Sequence, residues 1–133
     1  MIRAKYSLVA EGACIDGQTG QCSIFSVLDD INAVAFPTFI AKVCFICLWE
    51  RDDVDTDVKD GEFIINVGDH EFMRNKIKIE FNGRTMNRSI YRVNGIIITE
   101  PGIVKFMVKI DNDVSCEYSM NVNLARTSSV DDV

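Results

Sequence analysis

Between residues 114 and 124 every second side chain is apolar: Val114, Cys116, Tyr118, Met120, Val122 and Leu124 alternate with Ser115, Glu117, Ser119, Asn121 and Asn123. Successive side chains of a strand point to opposite faces, so this pattern predicts a strand with one dry and one wet face. Residues 104–110 repeat it, with Val104, Phe106, Val108 and Ile110 inward and Lys105 and Lys109 outward. Asp111, Asn112 and Asp113, which favour reversals, predict a hairpin between the two. Two more alternating stretches put Phe63, Ile65 and Val67, and then Ile77, Ile79 and Phe81, on dry faces.

Residues 38–49 differ. Phe39, Ala41, Val43, Phe45, Cys47 and Trp49 fill one face, while Ile40, Cys44, Ile46 and Leu48 make the other mostly apolar. A strand of this kind is expected at the centre of a sheet and covered on both faces. Residues 6–15 and 22–34 predict extended segments around a glycine-containing reversal at 16–20, with a short helical turn at 29–33 as an alternative. Residues 89–99, bent near Asn94 and Gly95, bring the count to about eight strands. No segment keeps a helical period, which argues against a βαβ architecture. Two antiparallel sheets packed face to face follow, an all-β sandwich of immunoglobulin-like or C2-like general architecture; a closed barrel is the alternative. The expected organisation is one domain over residues 1–124 and a polar, frayed tail over 125–133.

Composition sharpens the class. With 47% hydrophobic and 26% charged residues, the chain can bury a core and is not of disordered type. No apolar run suits a signal peptide or a membrane span, which predicts a cytoplasmic protein with no membrane partner. The odd number of cysteines, five, then reads as reduced thiols serving as small apolar residues. A net charge of −6 argues against gripping nucleic acid through its phosphates. The charge is uneven, however: seven acidic residues fall within 50–62 and six basic residues within 74–92.

The run "GQCSIFSVLDDINAVAFP" at 20–37 and the run "EPGIVKFMVKIDND" at 100–113, with the alternating strand after it, carry a resemblance. Together they resemble a family of small uncharacterised bacterial β-sandwich proteins, over roughly residues 4–124. The resemblance implies a fold and brings no activity or site residues. The acidic insert at 52–60 departs from that pattern.

Several constellations deserve weighing as chemistry. Asp53, Asp55 and Asp57 form a D-x-D-x-D array that can offer hard oxygen ligands to calcium, but an EF-hand also needs glycine and glutamate where Val58 and Ile64 stand. A looser loop site competes with a solvated acidic loop that keeps an edge soluble. Cys44 and Cys47 have zinc-knuckle spacing, yet residues three apart on a strand face opposite sides and their sulfurs cannot converge. His70, the only histidine, sits in a turn with no nucleophile elbow nearby, and no glycine-rich phosphate loop occurs. Phe72, Phe81 and Tyr91 among the basic residues can be read as a stacking groove for single strands, or as core residues of strands with a solvated basic face.

These readings converge on a protein that is not an enzyme, holds no cofactor and works by protein contact, as an assembly subunit, accessory factor or homo-oligomer. The contact residues expected are Asp52, Asp53, Asp55 and Asp57 on one surface and Lys76, Lys78, Arg84, Arg88 and Arg92 on another, attracting through opposite charge. The alternative is a calcium- or carbohydrate-binding sandwich module using the loop 52–60; an enzyme with a dispersed site is the third class.

Overall fold

A computed structural model describes residues 1–125; all but the first residue of the expected 125–133 tail lies outside the described residues. Among the described residues there are nine strands and no helix: β1 (Arg3–Ile15), β2 (Cys22–Val27), β3 (Asp30–Ala33), β4 (Thr38–Glu50), β5 (Val58–Val67), β6 (His70–Glu80), β7 (Met86–Ile98), β8 (Gly102–Ile110) and β9 (Asp113–Leu124). They form a four-stranded sheet in the order β2-β1-β4-β7 and a five-stranded sheet in the order β3-β9-β8-β5-β6. The two pack as a sandwich, so the all-β class expected from the alternation is what the chain adopts.

Turn chemistry sets the hairpins. Asp111 and Asn112 both take positive φ, 53° and 66°, the mirror-image turn whose twist matches the strands it joins. At the β1–β2 reversal the Asp16 carboxylate accepts from the amides of Gln18 and Thr19, which holds its pKa below the ordinary carboxylate value. The bend in β7 falls at Gly95, with φ 95°; a Cβ there would stand 2.7 Å from the Phe39 ring, so the aromatic ring occupies the space that glycine leaves.

The 22–34 segment departs from expectation. It is not one strand, and 29–33 is not helical: β2 pairs with β1, while β3 runs parallel to β9 in the other sheet, with Ile31 opposite Val122. Ser26, with φ 57°, distorts β2 just before it ends at Val27, after which Leu28 donates to the Val9 carbonyl. Asn121 then donates to Asp29, and the exposed edge of β9 supplies backbone partners that a single helical turn lacks.

The core lies between the sheets. Phe45 of β4 stacks on Phe63 of β5 at 5.7 Å between ring centroids, and Phe63 stacks on Tyr91 of β7 at 4.9 Å. Phe106 completes the aromatic group, while Trp49 and Phe81 are fully buried within the same core. The double apolar character of β4 is explained differently on its two faces. Its inner residues Val43, Phe45, Cys47 and Trp49 meet the other sheet; its outer residues Cys44 and Ile46 are buried by side chains of their own sheet, among them Leu8, Ala10, Ile24 and Ile90.

Candidate functional site

The loop between β4 and β5 crosses from one sheet to the other and carries the acidic cluster. The carboxylates of Asp52, Asp55 and Asp57 are engaged within the chain. Asp52 and Asp55 both accept from the α-amino group of Met1, the latter at 2.6 Å, and Asp55 also accepts from the Asp52 amide. Arg3 pairs with Glu50 and with Asp52, the second at 3.3 Å. The Met1 ammonium, foremost, holds the carboxyls of Asp52 and Asp55 below their ordinary pKa. Asp57 accepts from the Gly83 amide and pairs with Arg51 at 3.2 Å.

Arg51 organises this end. It donates to the carbonyls of Arg84 and Asp55, and its guanidinium lies 5.2 Å from the centroid of the Phe81 ring. Counting charges along the sequence missed Arg51, Arg3 and Lys5 as partners of the acidic residues. The signal available was their alternation with acids at 50–53 and the basic start of β1.

The D-x-D-x-D reading is corrected by this geometry. Among the described residues Asp53 has no polar partner, while Asp55 and Asp57 bind different cations and different backbone amides. Among the described residues no group of three or more His, Cys, Asp or Glu side chains is placed to hold a metal ion. Cys44 and Cys47 diverge as alternation requires, into the outer cluster and the core respectively. His70 is exposed at the start of β6. The stacking groove is also absent as drawn, because Phe81 is fully buried and Tyr91 packs against Phe45 and Phe63.

The five basic candidates do not share one surface. Lys76 and Lys78 lie on β6, opposite in phase to the core residues Ile77 and Ile79, and so on the outside of the five-stranded sheet. Arg88 and Arg92 lie on β7, opposite in phase to Tyr91 and Val93, on the outside of the four-stranded sheet. Arg84 is in the turn that joins them. The single basic surface expected from the sequence is therefore split, because a chain crossing between sheets turns consecutive outward faces in opposite directions.

The two outer faces differ in chemistry. On the five-stranded sheet Arg74 pairs with Glu62 and Glu71, and Lys105 pairs with Glu117 at 3.1 Å. The Glu71 carboxyl is held below its ordinary pKa by Arg74. This is a charged face on which Glu62, Glu71, Arg74, Lys105 and Glu117 are ion-paired, while Lys76 and Lys78 form no ion pair among the described residues. On the four-stranded sheet, register sets Tyr6, Leu48 and Arg88 in one row, Leu8, Ile46 and Ile90 in the next, and Ala10, Cys44 and Arg92 in a third. Val27, opposite Ala10, extends it.

That second face is apolar at its centre, with Tyr6 and Val27 exposed by 38% and 49%. Along β7 it is flanked by two arginines that form no ion pair among the described residues. Arg92 instead donates to the Ala13 carbonyl at 3.3 Å and contacts the Cys44 sulfur at 3.4 Å. Among the described residues Arg88 Nε is buried without a hydrogen-bond partner. So are Trp49 Nε1 and the Tyr91 hydroxyl in the core, where burial pushes the tyrosine up to about 12.

The chain belongs to a family of unknown function (DUF6941), whose model matches residues 5–123. This agrees with the resemblance to an uncharacterised β-sandwich family. No curated protein matches the chain. No helix among the described residues is long and apolar enough to cross a membrane.

Proposed function

We propose that this protein is a non-catalytic sandwich module of the bacterial cytoplasm that works by contact with another protein, through the outer face of its four-stranded sheet. The observation that supports the reading is the contrast between the two outer faces. One is charged throughout, with Arg74, Glu62, Glu71, Lys105 and Glu117 in ion pairs beside Lys76 and Lys78, while the other presents the partly buried Leu8 and Ile90 and the exposed Tyr6 and Val27 beside two arginines without carboxylate partners among the described residues. The partner that fits is a protein surface with an apolar centre and carboxylates at one side, which would meet Arg88 and Arg92. Burial of the apolar centre would supply affinity, and the charges orientation and rate.

The acidic loop is not the docking element in this reading, since Asp52, Asp55 and Asp57 already hold cations of their own chain. The test is recovery of a partner from the native host with the wild-type chain, with Tyr6→Lys, with Arg88→Glu and with Lys76→Glu as a control on the other face. Recovery lost with the first two variants and kept with the third supports the reading. Equal recovery with all four would remove the face from consideration. Sedimentation of the same set identifies a second copy as the occupant if a dimer is present with the wild-type chain and Lys76→Glu and lost with Tyr6→Lys and Arg88→Glu.

A further inference from the structure

Cys47 and Cys116 come from different sheets and meet in the core. Cys47 is fully buried on β4 of the four-stranded sheet, Cys116 is 8% exposed on β9 of the five-stranded sheet, and their sulfurs are 3.4 Å apart across a separation of 69 residues. Both are free thiols, as are Cys14, Cys22 and Cys44. Cys44 is turned to the outer face against Arg92, and Cys14 and Cys22 stand on β1 and β2 in offset register, opposite Ser23 and Ile15. The Cys47–Cys116 contact is thus one that joins the two layers of the sandwich directly.

We propose that Cys47 and Cys116 are a latent crosslink, closing to an intersheet disulfide when the chain folds in the presence of a small-molecule disulfide. Closure brings the sulfurs from contact to about 2.05 Å, a movement that side-chain rotation of two facing cysteines can share. The exchange balances in two steps. One cysteine thiolate attacks the small disulfide, forming a mixed disulfide and releasing one small thiolate. The second cysteine thiolate attacks the protein-bound sulfur of that mixed disulfide, forming the protein disulfide and releasing the second small thiolate. The two thiol protons end on the two released thiols, the small disulfide is reduced, and the cysteine pair is oxidised.

The timing follows from burial. Both sulfurs lie within the core, and the Cys47 thiol is pushed up by the hydrogen bond to Cys116 and by burial, so the folded chain offers no reactive thiolate there. The crosslink forms before or as the sheets close, and the folded reduced protein resists it. In a reducing compartment the pair stays as two thiols.

The experiment uses a Cys14→Ser/Cys22→Ser/Cys44→Ser variant, in which one intramolecular pairing remains, alongside the wild-type chain. Each is unfolded, reduced and refolded with glutathione disulfide and glutathione, or with dithiothreitol. The expected oxidised product loses about 2 Da relative to the reduced one. It yields a linked peptide containing Cys47 and Cys116, and it melts about 10 °C higher, as closing a long loop in the unfolded chain predicts. Adding Cys116→Ser abolishes the mass change and the melting shift. Refolded oxidised protein with native near-ultraviolet signal and two titratable thiols in the triple variant would overturn the proposal. So would a linked product that has lost that signal, since the native spacing would then not accommodate the bond.

Discussion

The guanidinium of Arg92 reaches the carbonyl oxygen of Ala13 at 3.3 Å, so a side chain from the edge strand β7 crosses the central strand β4 to tie down β1. The same group contacts the sulfur of Cys44 at 3.4 Å, and the arginine therefore lies over the apolar outer face rather than standing away from it. Arg92→Ala is expected to lower stability by on the order of 1 kcal/mol and to speed amide exchange around the β1–β2 hairpin. Arg92→Lys, lacking the planar fork, should recover only part of that protection. Unchanged exchange in Arg92→Ala would show that the bridge contributes nothing.

Phe45 contacts aromatic rings on both sheets, and its removal leaves a cavity that neither sheet can close alone. Phe45→Ala is expected to cost about 3–5 kcal/mol in denaturant unfolding. Trp49, fully buried, should emit at short wavelength and resist quenching by iodide in the folded state. A loss well under 1 kcal/mol would contradict the placement of this ring in a packed core.

Tyr91 predicts an alkaline limit to stability. Its folded pKa is raised from 10.0 to about 12, chiefly by burial. The folded state therefore holds the phenol proton more tightly than the unfolded chain does. The stability this confers is complete below pH 10 and is lost as the pH rises towards about 12. Up to about 2–3 kcal/mol of stability is at stake in that window. Tyr91→Phe should be distinctly less sensitive to pH there than the wild type, measured as the difference between their denaturant midpoints. Parallel curves would refute the assignment.

Neighbouring aspartates should respond unequally to charge reversal. Asp53→Lys touches no polar partner and should leave the unfolding midpoint unchanged, whereas Asp55→Lys removes a carboxylate that accepts from the Met1 ammonium and the Asp52 amide. The Asp55 carboxyl is depressed by those donors, so the contribution it makes is present above the ordinary carboxylate pKa and is lost as acid protonates it. Asp55→Lys is expected to be destabilised at neutral pH, and its difference from wild type to narrow in acid, where the wild type loses the carboxylate but the lysine still repels the Met1 ammonium. Equal midpoints for the two variants at neutral pH would show that the Met1 contact does not hold the loop.

Alternation along the chain determined the all-β class, the inward phase of β5, β6, β8 and most of β9, that of β4 from Val43 onward, and the divergence of Cys44 from Cys47, because a strand's side-chain period is a local property of its backbone; before Val43 the phase of β4 is reversed, with Phe39 exposed and Ile40 packed against the core. Residue type also placed the reversals at Asp16 and Asp111 and the bend at Gly95, where the residues themselves permit the backbone conformation. What only the tertiary structure decided is pairing between segments far apart. The assignment of β3 to the opposite sheet from β2 depends on the edge of β9, some ninety residues away in the register of Ile31 with Val122. The basic segment that reads as one patch from 74 to 92 is divided because β6 and β7 belong to different sheets. The acidic segment that reads as an open charge is partly paired because Met1, Arg3 and Arg51 converge on Asp52, Asp55 and Asp57 in space. The contact of Cys47 with Cys116 has no local trace at all. Charge and thiol chemistry act through distances in space, and a sequence specifies those only once its strands have chosen their neighbours.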